Sequence, residues 1–242
     1  MKEIVIAHLY YDLLNLYGEK GNMIILKKEL ENQGLKVTLK ELTVADKLNF
    51  DKYDLVYIGA GTENNQKIAL ESLMKYKDKI KERVNENKHF LITGNAIEMF
   101  GSYILAKNKE RHECLNLFHY HTEEREKRMA EEALMKCRFV DKLIFGAQNQ
   151  PSFIIGNDKP LFEVVKGIGS FPGAKTEGIK YCNFYGTYLF GPLLVRNPHF
   201  LEYFIKELVL AKYPNFEFKN FELEDNEKAY DTFMNNFYKN YT

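Results

Sequence analysis

An excess of charge of either sign is missing from this 242-residue chain: 34 Lys and Arg stand against 34 Asp and Glu, and the formal net charge is zero. Nucleic-acid and anionic-lipid surfaces both draw on a basic excess, so neither partner is expected. Long hydrophobic runs are missing too. None approaches the roughly 20 apolar residues that span a bilayer, so no membrane insertion is expected. The opening stretch Met1–His8 is too short for the apolar part of a secretory signal, and His8 and Asp12 interrupt it. Cysteine is scarce. Cys114, Cys137 and Cys182 form an odd, widely spaced set with neither a disulfide framework nor a CxxC metal pair, which points to a reducing cytoplasm with no metal and no cofactor. Internal repeats and low-complexity linkers are lacking, so residues 1–242 are expected to form one domain. What remains is an ordinary globular composition, 45% hydrophobic and 28% charged, which excludes a disordered or collagen-like chain.

The first half has the pattern of an α/β protein. Glu3–Tyr10 is a short apolar run of the buried-strand kind, followed by a helical stretch from Asp12 to Gln33 that Gly34 stops. Lys36–Leu42 alternates with a period of two. Leu55–Ile58 is a buried strand ending in Gly59-Ala60-Gly61, a helix carries Ala69, Leu73, Tyr76, Ile80 and Val84 on one face, and His89–Thr93 is the next strand. Strands alternating with helices imply right-handed crossovers and a mostly parallel sheet. Further on, the composition of Thr122–Met135 predicts a charged helix. Short strands are expected at Lys142–Gly146, Leu161–Gly167 and Ile179–Leu189. From Asn197 to Tyr213 the chain has a strong helical signature: Asn as cap, Pro in the first turn, and a stripe of Leu201, Phe204, Ile205 and Leu208. A last amphipathic stretch carries Tyr230, Phe233, Met234 and Phe237.

In an open α/β sheet, ligands bind beyond the carboxyl ends of the strands. That directs attention to His8–Asp12, Gly59–Gln66, Thr93–Ala96 and Tyr188–Pro192. Taken in order, these segments resemble a known family. Ile6–Asn22, with its Tyr17-Gly18-Glu19-Lys20-Gly21-Asn22, looks like the opening of GatD-type proteins, CobB/CobQ-like class I glutamine amidotransferases. Asp54–Gln66 is similar to that family's strand and Gly-Gly-Gly-Gln-Asp turn. His89–Gly101 is similar to the strand and elbow that carry Cys-Gly-Gly, and Tyr185–Leu194 to the Gly-Thr-Tyr-Leu-His-Gly-Pro block. The resemblance covers nearly the whole chain. It implies a flavodoxin-like fold in a single domain, and the role of a glutaminase subunit of lipid II isoglutaminyl synthase, paired with a Mur-ligase-like protein in cell-wall precursor amidation.

The resemblance also implies a reaction: an elbow Cys attacks the glutamine side-chain amide, a His acts as base, and backbone N–H groups of the glycine turn hold the oxyanion. This sequence departs from that pattern at both reacting positions. Gly94 stands where the family has Cys, and Phe190 where it has His. A hydrogen atom and a phenyl ring are neither nucleophile nor base. Gly94 would take the strained elbow conformation without a Cβ penalty, and Phe190 would fill the vacated pocket. Cys182 is expected at the wrong end of the sheet, Cys114 and Cys137 in core or loop, and Thr93 on the opposite face. His8 is expected to orient a strand end, and His199 to be exposed. Gly59, Ala60, Gly61, Asn95, Arg128 and Asn149 are the positions at which a glutamine-like molecule would bind, with Arg128 as the carboxylate partner; Gln150 replaces a family His. The expectation is a catalytically silent subunit. Two alternatives stay open: an active glutaminase using unexpected or partner-donated groups, and a sensor that keeps the old pocket.

Overall fold

The structure, a computed structural model, describes residues 1–241. Its elements run β1 (Glu3–Leu9), α1 (Lys20–Asn32), β2 (Lys36–Leu42), β3 (Leu55–Ile58), α2 (Glu63–Met74), α3 (Lys77–Asn85) and β4 (His89–Thr93). There follow β5 (Tyr103–Leu105), β6 (Arg111–Glu113), β7 (His121–Lys136), β8 (Ile144–Ile155), β9 (Phe162–Lys166), β10 (Thr176–Glu177), β11 (Ile179–Tyr181) and β12 (Phe184–Thr187). Three helices close the fold: α4 (Leu193–Arg196), α5 (Pro198–Lys212) and α6 (Glu224–Phe237).

The main sheet has the order β11-β12-β4-β3-β1-β2, parallel throughout except for the β11–β12 hairpin. Period-two alternation explains why helices cover both faces. Ala7, Leu9, Val56, Ile58, Phe90 and Ile92 pack with α2 and α3, while Ile4, Ile6, Leu55, Tyr57 and Leu91 pack with α1 and α5. The flavodoxin-like order places the strand order's reversal between β1 and β3, so the segments after β1, β3, β4 and β12 converge at one end.

The expected elements need five corrections. Residues 12–18 are not α-helical: Tyr17 and Gly18 have φ of 61° and 78°, and α1 starts only at Lys20. The single helix through Val84 is two helices that break between Met74 and Lys77. The strand Ile179–Leu189 is a hairpin, turned at Cys182 with φ of 49°. Thr122–Met135 is not a helix but most of β7, a strand of a long hairpin with β8. Its Glu, Lys, Arg and Met favour a helix in isolation, but pairing along most of its length with β8 overrides so weak a preference. Asn197 does not cap α5 with its side chain; its amide instead bonds both backbone groups of Phe145 and the carbonyl of Leu193, pinning the start of β8.

β7 also belongs to a second, mostly antiparallel sheet, β10-β9-β7-β5-β6, with β8 on its other side. That sheet lies against the carboxyl end of the first, where Ala147 and Phe190 exchange both backbone hydrogen bonds, at 3.3 and 3.0 Å. Among the described residues no helix is long and apolar enough to cross a membrane.

Two imidazoles are buried in this framework. His8 is fully enclosed between Tyr57 and Tyr11, and neither ring nitrogen has a hydrogen-bond partner, so it does not orient the strand end through one. Burial pushes it down to about 4. Burial, with Lys180 and Lys88 nearby, pushes His89 down to about 3. Both values lie below the unfolded one near 6.5. Stability is therefore full above that pH and is lost as pH falls through the folded values, because the unfolded chain takes up protons first. Replacing His8 by Leu is expected to remove roughly 2–3 kcal/mol of the stability difference between pH 7 and pH 4. Urea midpoints of wild type and variant at the two pH values measure it, and an unchanged slope would refute the assignment.

Candidate functional site

The carboxyl end of the main sheet is built around one acidic side chain. Glu19 precedes α1 and is completely buried. Its carboxyl accepts short hydrogen bonds from the hydroxyls of Tyr57 (β3) and Thr93 (β4), and a 3.3 Å bond from the backbone N–H of Gly191. Asn22, one turn on, donates to Tyr57 at 2.9 Å and accepts from the backbone of Leu194 at 2.7 Å. Burial raises the Glu19 pKa, against the opposing pull of these donors, which favour its charged form.

Above this anchor β4 ends in the elbow. Gly94 has φ of 62°, the left-handed region that glycine enters without penalty, and opens a 3-10 helix to Phe100. The Gly59–Gly61 turn after β3 presses against it. A Cβ at Gly61 would lie 2.9 Å from the Leu13 carbonyl and one at Gly59 2.7 Å from the Leu14 carbonyl, both fixed backbone atoms, so both positions require glycine. The Gly61 N–H, the kind of group that would face an oxyanion, donates instead to Asn95 Oδ1 at 3.0 Å. Gln66 donates to the Asn95 carbonyl at 2.5 Å and to Glu98 at 3.0 Å, and Tyr188 donates to Glu98 at 2.9 Å. Desolvation raises the buried Glu98 to about 7.

Phe190 roofs the elbow. Its ring stacks on Tyr17 with centroids 4.1 Å apart. Asn149 of β8 donates to the Tyr17 hydroxyl at 2.8 Å, and Arg128 of β7 donates to Asn149 Oδ1 at 3.2 Å and to its carbonyl at 3.1 Å. The other Arg128 nitrogen pairs closely with Glu63 at the start of α2. The cavity enclosed by Tyr17, Ala60, Gly61, Gly94, Asn95, Arg128, Asn149, Tyr188 and Phe190 has a volume of about 10 Å³, space for one water molecule at most. Ligand pockets are of the order of 300–1,000 Å³.

Of the residues singled out from sequence, Ala60, Gly61, Gly94, Asn95, Arg128, Asn149 and Phe190 come together here, while Gly59 packs beneath Leu14 and does not line the cavity. Arg128 stands on strand β7, not on the charged helix that composition predicts. Thr93 faces Glu19 and also stays outside the cavity. Cys114 and Cys137 are buried away from it, and burial pushes the Cys114 thiol up to about 12; Cys182 is exposed beside the first residue of β12, at the amino end of the sheet. His199 is not exposed but half-buried against Tyr230. Sequence reasoning missed Tyr17, Glu19, Glu63 and Tyr188. Tyr17 and Glu19 sit inside the motif Tyr17–Asn22 that carries the resemblance, so the motif itself was the available signal.

If the Glu19 carboxyl ties these segments together, Glu19→Ala should cost about 3 kcal/mol or more, since it strands buried donors. Glu19→Gln, which keeps the shape and one acceptor oxygen, should cost about 1 kcal/mol. Denaturant unfolding of both at neutral pH is the check, and equal losses would remove Glu19 from this role.

Comparison with known proteins bears on the family and the fold. Residues 5–198 match the CobB/CobQ-like glutamine amidotransferase domain. The chain is 28% identical over 224 residues to subunit GatD of the lipid II isoglutaminyl synthase (glutamine-hydrolyzing) of Staphylococcus aureus strain N315, covering 93% of this chain and 92% of that protein. It is 28% identical over 214 residues to the GatD subunit of Streptococcus pneumoniae strain ATCC BAA-255 / R6, covering 87% and 82%. A crystal structure of a glutamine amidotransferase superposes with a TM-score of 0.54 at 15% identity, over 85% of this chain and 98% of that one. A glutamine amidotransferase from Thermotoga maritima does so at 0.54 and 12%, over 95% and 92%. The two structures establish the likeness of fold, and the domain match, which spans most of the sequence, establishes the family: this chain belongs to the CobB/CobQ-like glutamine amidotransferases.

Proposed function

We propose that this chain is a catalytically silent, GatD-like subunit that works in the cytoplasm as the structural or regulatory partner of a Mur-ligase-like protein, in lipid II amidation or a related step. The observation that carries the reading is the closed elbow. Where the resemblance calls for a thiol facing an imidazole, Gly94 lies under the ring of Phe190 in a space of about 10 Å³. Nucleophilic attack on an amide needs a thiolate and a proton acceptor within hydrogen-bond reach, and neither a cysteine nor a histidine lines the cavity.

The rest of the site supports the same reading. Oxyanion stabilisation requires a free N–H aimed at the reacting oxygen, and the Gly61 N–H is taken by the Asn95 side chain. Binding of a free carboxylate by Arg128 requires an unpaired guanidinium, and Glu63 and Asn149 already hold it. Ala60, Gly61, Asn95, Arg128 and Asn149, the positions a glutamine-like ligand would use, are engaged with neighbouring residues of the chain. A subunit role is supported by the relatives that match over most of the chain's length, which are GatD subunits of lipid II isoglutaminyl synthase.

Purified protein, alone and mixed with its partner ligase, is expected to release no ammonia from glutamine above the buffer rate, and alkylating Cys182 is expected to change nothing. Turnover within 100-fold of an active glutaminase subunit would overturn the silent reading. Calorimetric titration with glutamine should show no heat of binding, whereas saturable binding would favour the sensor alternative. Affinity purification from the native host should recover a Mur-ligase-type protein in stoichiometric amount, and repeated failure to do so would remove the proposed role.

A further inference from the structure

A side chain at position 94 has a specific competitor. An ideal Cβ built on Gly94 falls 2.4 Å from the Cβ of Ala60, 3.1 Å from its Cα and 3.6 Å from its nitrogen. The first contact is far inside van der Waals separation. A long side chain could swing its tip aside, but the Ala60 methyl is fixed to the backbone and has no rotamer to change.

Neither backbone has room to retreat. On the turn, the Ala60 carbonyl accepts from Leu16 N–H at 2.9 Å and the Gly61 N–H donates to Asn95 at 3.0 Å, while Leu14 packs against Gly59 and Gly61 with no space for a Cβ at either. On the elbow, Thr93 is held by Glu19 and the Asn95 carbonyl by Gln66. The turn and the elbow are clamped at a separation that admits one Cβ between positions 60 and 94. The GatD-type pattern, Gly in the turn and Cys at the elbow, also has one Cβ across the pair, carried by the other partner.

We infer that Ala60 is a steric lock on the elbow: its methyl group occupies the space that any side chain at position 94 would need, so substitution at position 94 alone does not restore a nucleophile. The inference rests on the reading of this site as a retired reaction centre. It adds that the retirement is held in place by a second residue, remote in sequence, which the catalytic positions by themselves do not reveal.

A thermal-melting cycle tests the lock through its sign. Gly94→Cys is expected to melt about 10 °C below wild type, from the clash together with the strain of a non-glycine residue at positive φ. Ala60→Gly alone should lose about 2–4 °C, through a small void and a floppier unfolded chain. Simple additivity would place the double variant below Gly94→Cys. The lock places it above, by about 4–6 °C, with only the φ strain and the lost Ala60 contacts remaining. The same cycle with Gly94→Ala keeps the test alive should the cysteine variant not fold, and removes sulfur chemistry from it. Ala60→Gly combined with Leu208→Ala, in the core beneath α5, should show no such rescue. A double variant melting at or below Gly94→Cys and Gly94→Ala, or rescue of Leu208→Ala as well, would overturn the lock. Ammonia release by the wild-type protein judges the silent reading separately, whatever the melting cycle returns.

Discussion

The carboxyl end of the main sheet depends on the desolvated carboxyl of Glu19. Taking a carboxyl out of water is costly unless its oxygens are met by donors, and here hydroxyls from two strands and one backbone N–H meet them. The donors come from β3, β4 and the segment after β12, so one side chain ties together three chain segments that are far apart in sequence. Two of them lead directly to the elbow: Thr93 is the residue before Gly94, and Gly191 the residue after Phe190. The floor and the roof of the cavity thus share one anchor, which is why the ring of Phe190 lies at a fixed height over the elbow.

A pocket relieved of its chemistry leaves unmet obligations. Buried donors without acceptors cost about 1–3 kcal/mol each, and empty volume forfeits dispersion contacts. In this protein each obligation has an internal partner. The Gly61 N–H has Asn95, the Arg128 guanidinium has Glu63 and Asn149, and the volume over Gly94 has the stacked pair of Phe190 and Tyr17. Strained, polar reaction centres are commonly held at some cost in stability. On the proposed reading the residues at 60, 94, 95 and 190 recover part of that cost together, so they form one packing solution.

Much of the frame was legible in the sequence because its signals are local. Buried strands such as Leu55–Ile58 and His89–Thr93 are short apolar runs, and the stripe of Leu201, Phe204, Ile205 and Leu208 has a helical period with proline at its start. The largest failure is non-local. Nothing within Thr122–Met135 says that it will pair with Ile144–Ile155, and a Glu- and Lys-rich segment has no strand signature until its partner is known. The site divides the same way. Gly94 and Phe190 were found because a resemblance supplied the residues to expect there. The contact of Ala60 with Gly94, and of Asn95 with the Gly61 N–H, join segments more than 30 residues apart and emerge only from coordinates.

The distance between a working and a closed site of this architecture is small in atoms and large in consequence. The sheet order, the elbow at positive φ and the glycine turn are all present, and these are the expensive, cooperative parts of the fold. The groups that close the elbow do not hold the sheet together: a hydrogen at 94, a methyl at 60, a carboxamide at 95 and a phenyl ring at 190. Each acts within a few ångströms of the elbow and none touches the hydrophobic layers under α1, α2 or α5. On the proposed reading, a frame maintained by Glu19 and the two cores is energetically separable from the chemistry of the elbow. On that reading, a chain of this family can keep its shape, and any partner surface that depends on it, without the reacting groups.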